Sequence, residues 1–189
     1  MPEGRRIEVW FQDEARIGQK NGQTRIWARK GTRPRLPADQ RYQNAYLFGA
    51  ICPMRGKGAA LMLPVVNTAA MQLHLEEISL AVAPGSHGVV IMDRAGWHET
   101  KKLIVPENLM IVLLPARLSR QNARRRTLTP ELNSAENVWQ YLRQNWLSNR
   151  VFEDFNAILD AGCDAWNRLI AMPDTIRSIG WRDWALTGR

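Results

Sequence analysis

Residues 88–92, GVVIM, and 110–115, MIVLLP, are apolar almost without interruption, and no other feature narrows the fold as much. Strands of that composition are buried on both faces, as they are in the middle of a sheet layered between helices. Parallel pairing needs a crossover, and one candidate precedes the first run. After Thr68, read as an N-cap, Met71, Leu75, Ile78 and Val82 recur at helical spacing until Pro84-Gly85 stops them.

The front of the chain reads differently. Ile7, Val9 and Phe11 alternate with more polar neighbours in IEVWFQDE, which predicts a strand that carries Asp13 to its C-terminal end at a sheet edge. Asn21-Gly22 is a tight-turn signal and predicts a hairpin into a strand at 24–28. AYLFGAIC at 45–52 and GAALMLPVV at 58–66 are further strands. Beyond Asp93, the stretch HETKKLIV reads as helix. So do a segment from Asn133 or Ser134, with Ala135, Val138, Trp139, Leu142 and Trp146 on one face, and a segment at 153–171. An antiparallel meander followed by alternating helices and buried strands predicts an α/β fold with a mixed central sheet flanked by helices.

The 189 residues suit one domain, 1–189, and no run approaches the ~18 apolar residues of a membrane span. With no signal-peptide core, the chain is expected to be soluble and cytoplasmic. Cys52 and Cys163 lie in apolar stretches without metal-ligand spacing and read as buried thiols. The net charge of +8 favours a polyanionic partner such as nucleic acid. One block from Ala15 to Ala38 lacks any acid and holds Arg16, Lys20, Arg25, Arg29, Lys30, Arg33 and Arg35. Another holds Arg117, Arg120, Arg124, Arg125 and Arg126. Each lies near a candidate carboxylate.

Asp13 and Asp93 each stand at the end of a predicted strand, and a third acid, Glu136 in the first turn or Glu131 just before it, belongs to the start of the helix that contains Trp139. Hard cations take oxygen ligands and leave part of their shell to water and substrate phosphate, so three such carboxylates suffice for phosphodiester chemistry. Each acid has a plainer reading. Aspartate commonly starts turns, and Glu136 fits the third position of a capping box on Asn133. Glu14 falls on the opposite side of the strand from Asp13 and reads as an ion-pairing or supporting group. His98, five residues after Asp93, reads as a helix-start histidine or as a group that orients a water. Trp139, Trp146 and Trp166 read as core. Trp27, between Arg25 and Arg29, reads as a sheet-packing or base-stacking residue.

WFQDEAR at 10–16, VIMDRAGWH at 90–98 and PELNSAENVWQYLR at 130–143 resemble, in order, the three signature blocks of bacterial insertion-sequence transposases of the Tc/mariner superfamily, IS six-thirty branch. The resemblance spans nearly the whole chain. It implies a ribonuclease-H-like fold in the order β-β-β-α-β-α-β-α, and carries the family's three acids onto Asp13, Asp93 and Glu136, deciding against Glu131. It also implies two Mg²⁺ ions, for which Mn²⁺ substitutes, double-stranded DNA as substrate, cleavage at transposon ends followed by strand transfer, and a homodimer on DNA.

Three departures from the family pattern stand out. ARLSRQNARRRTLT intervenes between the LLP strand end and the PELN block, Ser134 stands where proline is common, and Arg94 stands where asparagine is common. The family's N-terminal helix-turn-helix reader is expected to be absent, as in a truncated copy or in the downstream frame of a split gene, whose upstream-frame protein would then supply the reader. A remnant that only binds DNA, and a ribonuclease-H-like nuclease acting on structured nucleic acid, are the competing readings.

Overall fold

A computed structural model describes residues 4–20, 28–32, 35, 41–94, 102–114 and 133–182. Among them, five strands form one sheet in the order β3-β2-β1-β4-β5: β1 (Arg6–Gly18), β2 (Asn44–Cys52), β3 (Lys57–Leu63), β4 (Ser86–Met92) and β5 (Leu109–Leu113). The β1–β2 and β2–β3 pairs are antiparallel, while β1–β4 and β4–β5 are parallel. The mixed sheet predicted from the two apolar runs is therefore present, with those runs as β4 and β5; β5, however, is an edge strand among the described residues rather than a mid-sheet one, and past Leu109 its residues are only partly buried or, at Val112, exposed.

β1 is longer than its apolar residues suggest. It continues through Asp13 to Gly18, and Asp13 lies mid-strand on the central strand, not at a strand end on a sheet edge. The reason is pairing: residues 11–18 match 44–51 of β2 one for one, so ladder hydrogen bonds hold the polar QDEAR segment extended. The strand predicted at 24–28 falls mainly on 24–27, outside the described residues, and Ala28 is not in a strand.

Helix α1 (Thr68–Ala81) is capped by Asn67, one residue before the predicted Thr68; the Asn67 side chain accepts from the Ala70 amide at 2.9 Å. The helix predicted at 98–105 lies partly outside the described residues, and 102–105 are not helical. Helix α2 (Ala135–Leu142) runs on into one wider, π-type turn over Arg143–Leu147. Helix α3 (Phe155–Ile170) starts on Asp154, whose carboxylate accepts from the Ala157 amide at 2.8 Å. A short helix α4 (Pro173–Gly180), with proline in its first turn, follows.

Strand alternation splits the core in two. Val9, Phe11, Ala15 and Ile17 of β1, with Leu47 and Ile91, pack against Val138, Trp139, Leu142, Ile158, Trp166 and Leu169 of α2 and α3. Trp10, Phe48, Val90 and Met92 face the other way, onto Met71, Leu75 and Ile78 of α1. On that second face Glu8, 1% exposed, pairs with Arg55 at 3.0 Å and accepts from Trp10 Nε1 and the Ala83 amide. Arg55 also donates to the Ala81 carbonyl, so the pair locks the β2–β3 turn to the end of α1.

Both cysteines are free. Cys52 is buried, which pushes its thiol up to about 11, whereas Cys163, expected to be buried, is exposed on α3. Among the described residues no helix is long and apolar enough to cross a membrane.

Candidate catalytic site

The parallel ladder brings the two aspartates together. Arg6 pairs with Ser86 and Phe11 with Ile91, a constant offset that, continued two residues, sets Asp13 level with Asp93 just past the end of β4. Phe11 and Ile91 lie in the α2–α3 core, and alternation puts both aspartates on that same face. Asp93 is exposed and Asp13 half-buried.

Asp13 is held on both oxygens. Its Oδ1 accepts the Glu14 amide at 2.9 Å and its Oδ2 accepts Trp139 Nε1 at 2.9 Å. Burial nonetheless pushes its carboxyl up to about 6; the two hydrogen bonds oppose that rise, and the charges of Glu14 and Asp93 add to it. The effect of Asp93 on Asp13 shows that the two carboxylates share one electrostatic neighbourhood. A cation between them would relieve both the desolvation and the repulsion, and Mg²⁺ is commonly held by one or two carboxylates with water and phosphate completing the shell. The donor pair therefore fits a hard divalent cation.

Glu136 stands in the first turn of α2, exposed. That turn is fixed beside the aspartates: Asn133 Nδ2 donates to the Gln12 carbonyl at 2.9 Å, one residue before Asp13. The predicted capping box on Asn133 does not form. The helix starts one residue later, on Ser134, and the Asn133 side chain accepts the Ala135 amide instead at 3.0 Å, leaving Glu136 at the second helical position. None of the bonds that start the helix uses the Glu136 carboxylate. Ser134 Oγ donates to the Gly180 carbonyl and Asn137 Nδ2 to the Ile179 carbonyl, tying this end of α2 to α4. Among the described residues no three His, Cys, Asp or Glu side chains converge as a ready-made metal cluster. Glu136 stands on the helix turn next to Asp13.

Glu14 lies on the opposite face from Asp13, as alternation requires, where it accepts from buried Gln12 at 3.1 Å. Arg16, Lys20, Arg29 and Lys30 are exposed, and the Lys20 ammonium sits 5.2 Å from the centre of the Tyr42 ring. Arg25, Arg33, Arg120, Arg124, Arg125, Arg126, His98 and Trp27 lie outside the described residues. Two groups near the site went unread in the sequence. Arg143, at the start of the π-type turn, lines a shallow open groove with Arg16, Leu47 and Trp139. The Trp139 indole N–H was read only as part of a core residue; nothing in the sequence pattern says where a buried tryptophan points its single donor.

A family model described as DDE superfamily endonuclease matches residues 8–159. The uncharacterized protein y4pE/y4sA of Sinorhizobium fredii (strain NBRC 101917 / NGR234) is 52% identical over 141 residues, 75% of this chain and 96% of that protein. Among solved structures, the fold matches the Mos1 mariner paired end complex with Mn (TM-score 0.57, 15% identity, 93% of this chain and 56% of that one). It also matches the Mos1 Strand Transfer Complex (TM-score 0.54, 15% identity, 93% and 55%). The chain thus spans about half the length of the Mos1 chains it resembles.

Proposed function

Since the chain belongs to the DDE superfamily endonucleases and shares its fold with about half of the Mos1 chain, we propose that it is the catalytic domain of a transposase, cutting DNA at transposon ends and joining the freed 3′ ends to target DNA. Asp13, Asp93 and Glu136 are its three acids. The observation that carries this reading is the ladder register that delivers Asp13 and Asp93 side by side, next to the start of α2.

Asp13, Asp93 and Glu136 would hold a pair of Mg²⁺ or Mn²⁺ ions, which lower the pKa of an attacking water or 3′-hydroxyl and neutralise charge on the leaving oxygen. Asp13 serves as the fixed ligand, because both of its oxygens are already anchored. Asp93, exposed at the strand end, faces incoming DNA, and Glu136 closes on the site from α2. Arg16, Lys20, Arg29 and Lys30, with Arg25, Arg33, Arg120, Arg124, Arg125 and Arg126, contact phosphates and supply affinity without sequence preference. A homodimer bridging paired ends, and a helix-turn-helix region that reads those ends, complete the working assembly. This chain covers 55% and 56% of the two Mos1 chains, which leaves room for such a region in a relative.

The test uses labelled duplex carrying the element's ends, incubated with the purified chain and Mg²⁺ or Mn²⁺. Metal-dependent nicking or joining, lost in Asp93→Asn and in Glu136→Gln, supports the reading. DNA binding without any metal-dependent product, at every substrate and ion tried, identifies a binding remnant instead.

A further inference from the structure

Trp139 is more than filling for the core between the sheet and α2. A buried indole needs one acceptor for its N–H, and any nearby carbonyl would serve. Here the acceptor is the Asp13 carboxylate at 2.9 Å, brought together from 126 residues away in the chain.

The seat of the ring is equally particular. Gly49 lies directly across the β1–β2 ladder from Asp13, on the same face. A Cβ on Gly49 would come within 2.6 Å of Trp139 Cη2 and 2.9 Å of Trp166 Cζ3. The missing side chain is what makes room for the indole to approach β2 while its N–H reaches Asp13. Trp166 of α3, its ring centre 6.3 Å from that of Trp139, meets the same glycine and packs beside the indole. Ring, strand and second tryptophan leave Trp139 little rotational freedom. The Glu14 amide on Oδ1 and the indole on Oδ2 then leave Asp13 as little. Each carboxylate oxygen accepts one bond from the protein and keeps lone-pair capacity for a cation.

We infer that Trp139 is the positioning residue of this site: its indole N–H, seated on Gly49, fixes Asp13 in the orientation in which it receives a divalent cation. This rests on the reading of Asp13 and Asp93 as metal ligands. Hydrogen bonds behind a ligand commonly govern metal affinity by 10–100-fold, because a loose ligand must be ordered each time the ion binds.

The experiment measures Mn²⁺ affinity of the full chain, without DNA, for the parent, Asp13→Asn, Asp93→Asn and Trp139→Phe. Phenylalanine keeps a ring over Gly49 and removes only the donor. The expected result is a Kd raised about tenfold or more in Trp139→Phe, with DNA affinity at 100 mM salt unchanged. In parallel, the Trp139 indole ¹H–¹⁵N resonance of the otherwise native chain is followed during Mg²⁺ titration. It is expected to shift with saturation, and to stay still in Asp93→Asn. If Trp139→Phe does not fold, that resonance decides alone. A Kd within twofold of the parent, or a resonance indifferent to Mg²⁺, while Asp13→Asn loses the ion, overturns the role of Trp139. Undiminished Mn²⁺ binding in both aspartate variants overturns the metal-site reading itself.

Discussion

Phe11 and Ile91 are direct neighbours across the parallel β1–β4 ladder, and each stands two residues before an aspartate. The pairing of two apolar residues thereby sets the spacing of two charged ones. A slip of one residue would send Asp93 to the opposite face of the sheet, so the register is itself part of the site.

Replacing Asp93 tests this most directly. Asp93→Asn keeps the shape, and the residue is exposed, so the melting temperature should stay within about 2 °C of the parent, as for a surface change. Nicking of labelled DNA ends in Mg²⁺ should fall by roughly 10³-fold or more, the scale for loss of an essential catalytic group.

The metal-free chain should lose stability as pH rises through the carboxylate range. Asp13 is raised from 3.8 to about 6 in the folded state, so between those values the folded chain binds the proton that the unfolded chain has released. Its contribution is neutral below pH ~4 and grows to a cost of about 3 kcal/mol above pH ~6, at 1.36 kcal/mol per unit. Urea unfolding in EDTA should show Asp13→Asn more stable than the parent at pH 8 and close to it at pH 4. Adding Mn²⁺ at pH 8 should stabilise the parent and not the variant.

Arg55→Ala should be among the most damaging substitutions far from the site. It leaves Glu8, 1% exposed, as a buried carboxylate without its ion-pair partner, and frees the β2–β3 turn from the end of α1. Breaking a buried pair in this way costs about 3–5 kcal/mol. Chemical denaturation would register it, and a loss under 1 kcal/mol would show the pair to be dispensable.

Gly49→Ala should cost about 1–3 kcal/mol by overpacking, since the new methyl meets two rigid indoles and no flexible chain end. Thermal melts of the variant, alone and combined with Trp139→Phe, should show the smaller ring relieving part of that loss.

Arg16 and Arg143 line the groove beside Trp139, and both are exposed. If they touch phosphates, each alanine variant should reduce the slope of log K against log salt for duplex DNA by about 0.9 and weaken all sequences alike.

Much of this arrangement was legible in the residues. The two apolar runs announced β4 and β5, and the family resemblance of the three ordered blocks is what names Asp13, Asp93 and Glu136 as the proposed acids. Two of the misreadings share one physical cause, the override of local pattern by long-range contact. β1 runs on through QDEAR because β2 pairs with it, although its side chains past Phe11 are mostly polar. The start of α2 was set by docking, since Ser134 and Asn137 bond to the end of α4 while Asn133 reaches back to Gln12. Asn67 displaced Thr68 as a cap by one residue, within the ordinary uncertainty of helix ends. Helix α4 had a readable signal in Met172-Pro173-Asp174, with proline and an acid opening a first turn. Gly49 could not have been singled out, because its meaning lies in the two tryptophans that approach it.

Asp13 sits on the one strand paired antiparallel on one side and parallel on the other, near the middle of the sheet. Backbone amides there can exchange with solvent deuterium only when the surrounding sheet opens, whereas those at the exposed end of β4 need only local fraying. Hydrogen exchange should therefore find the slowest protons of the chain within a few residues of Asp13, the carboxylate we propose as the fixed metal ligand.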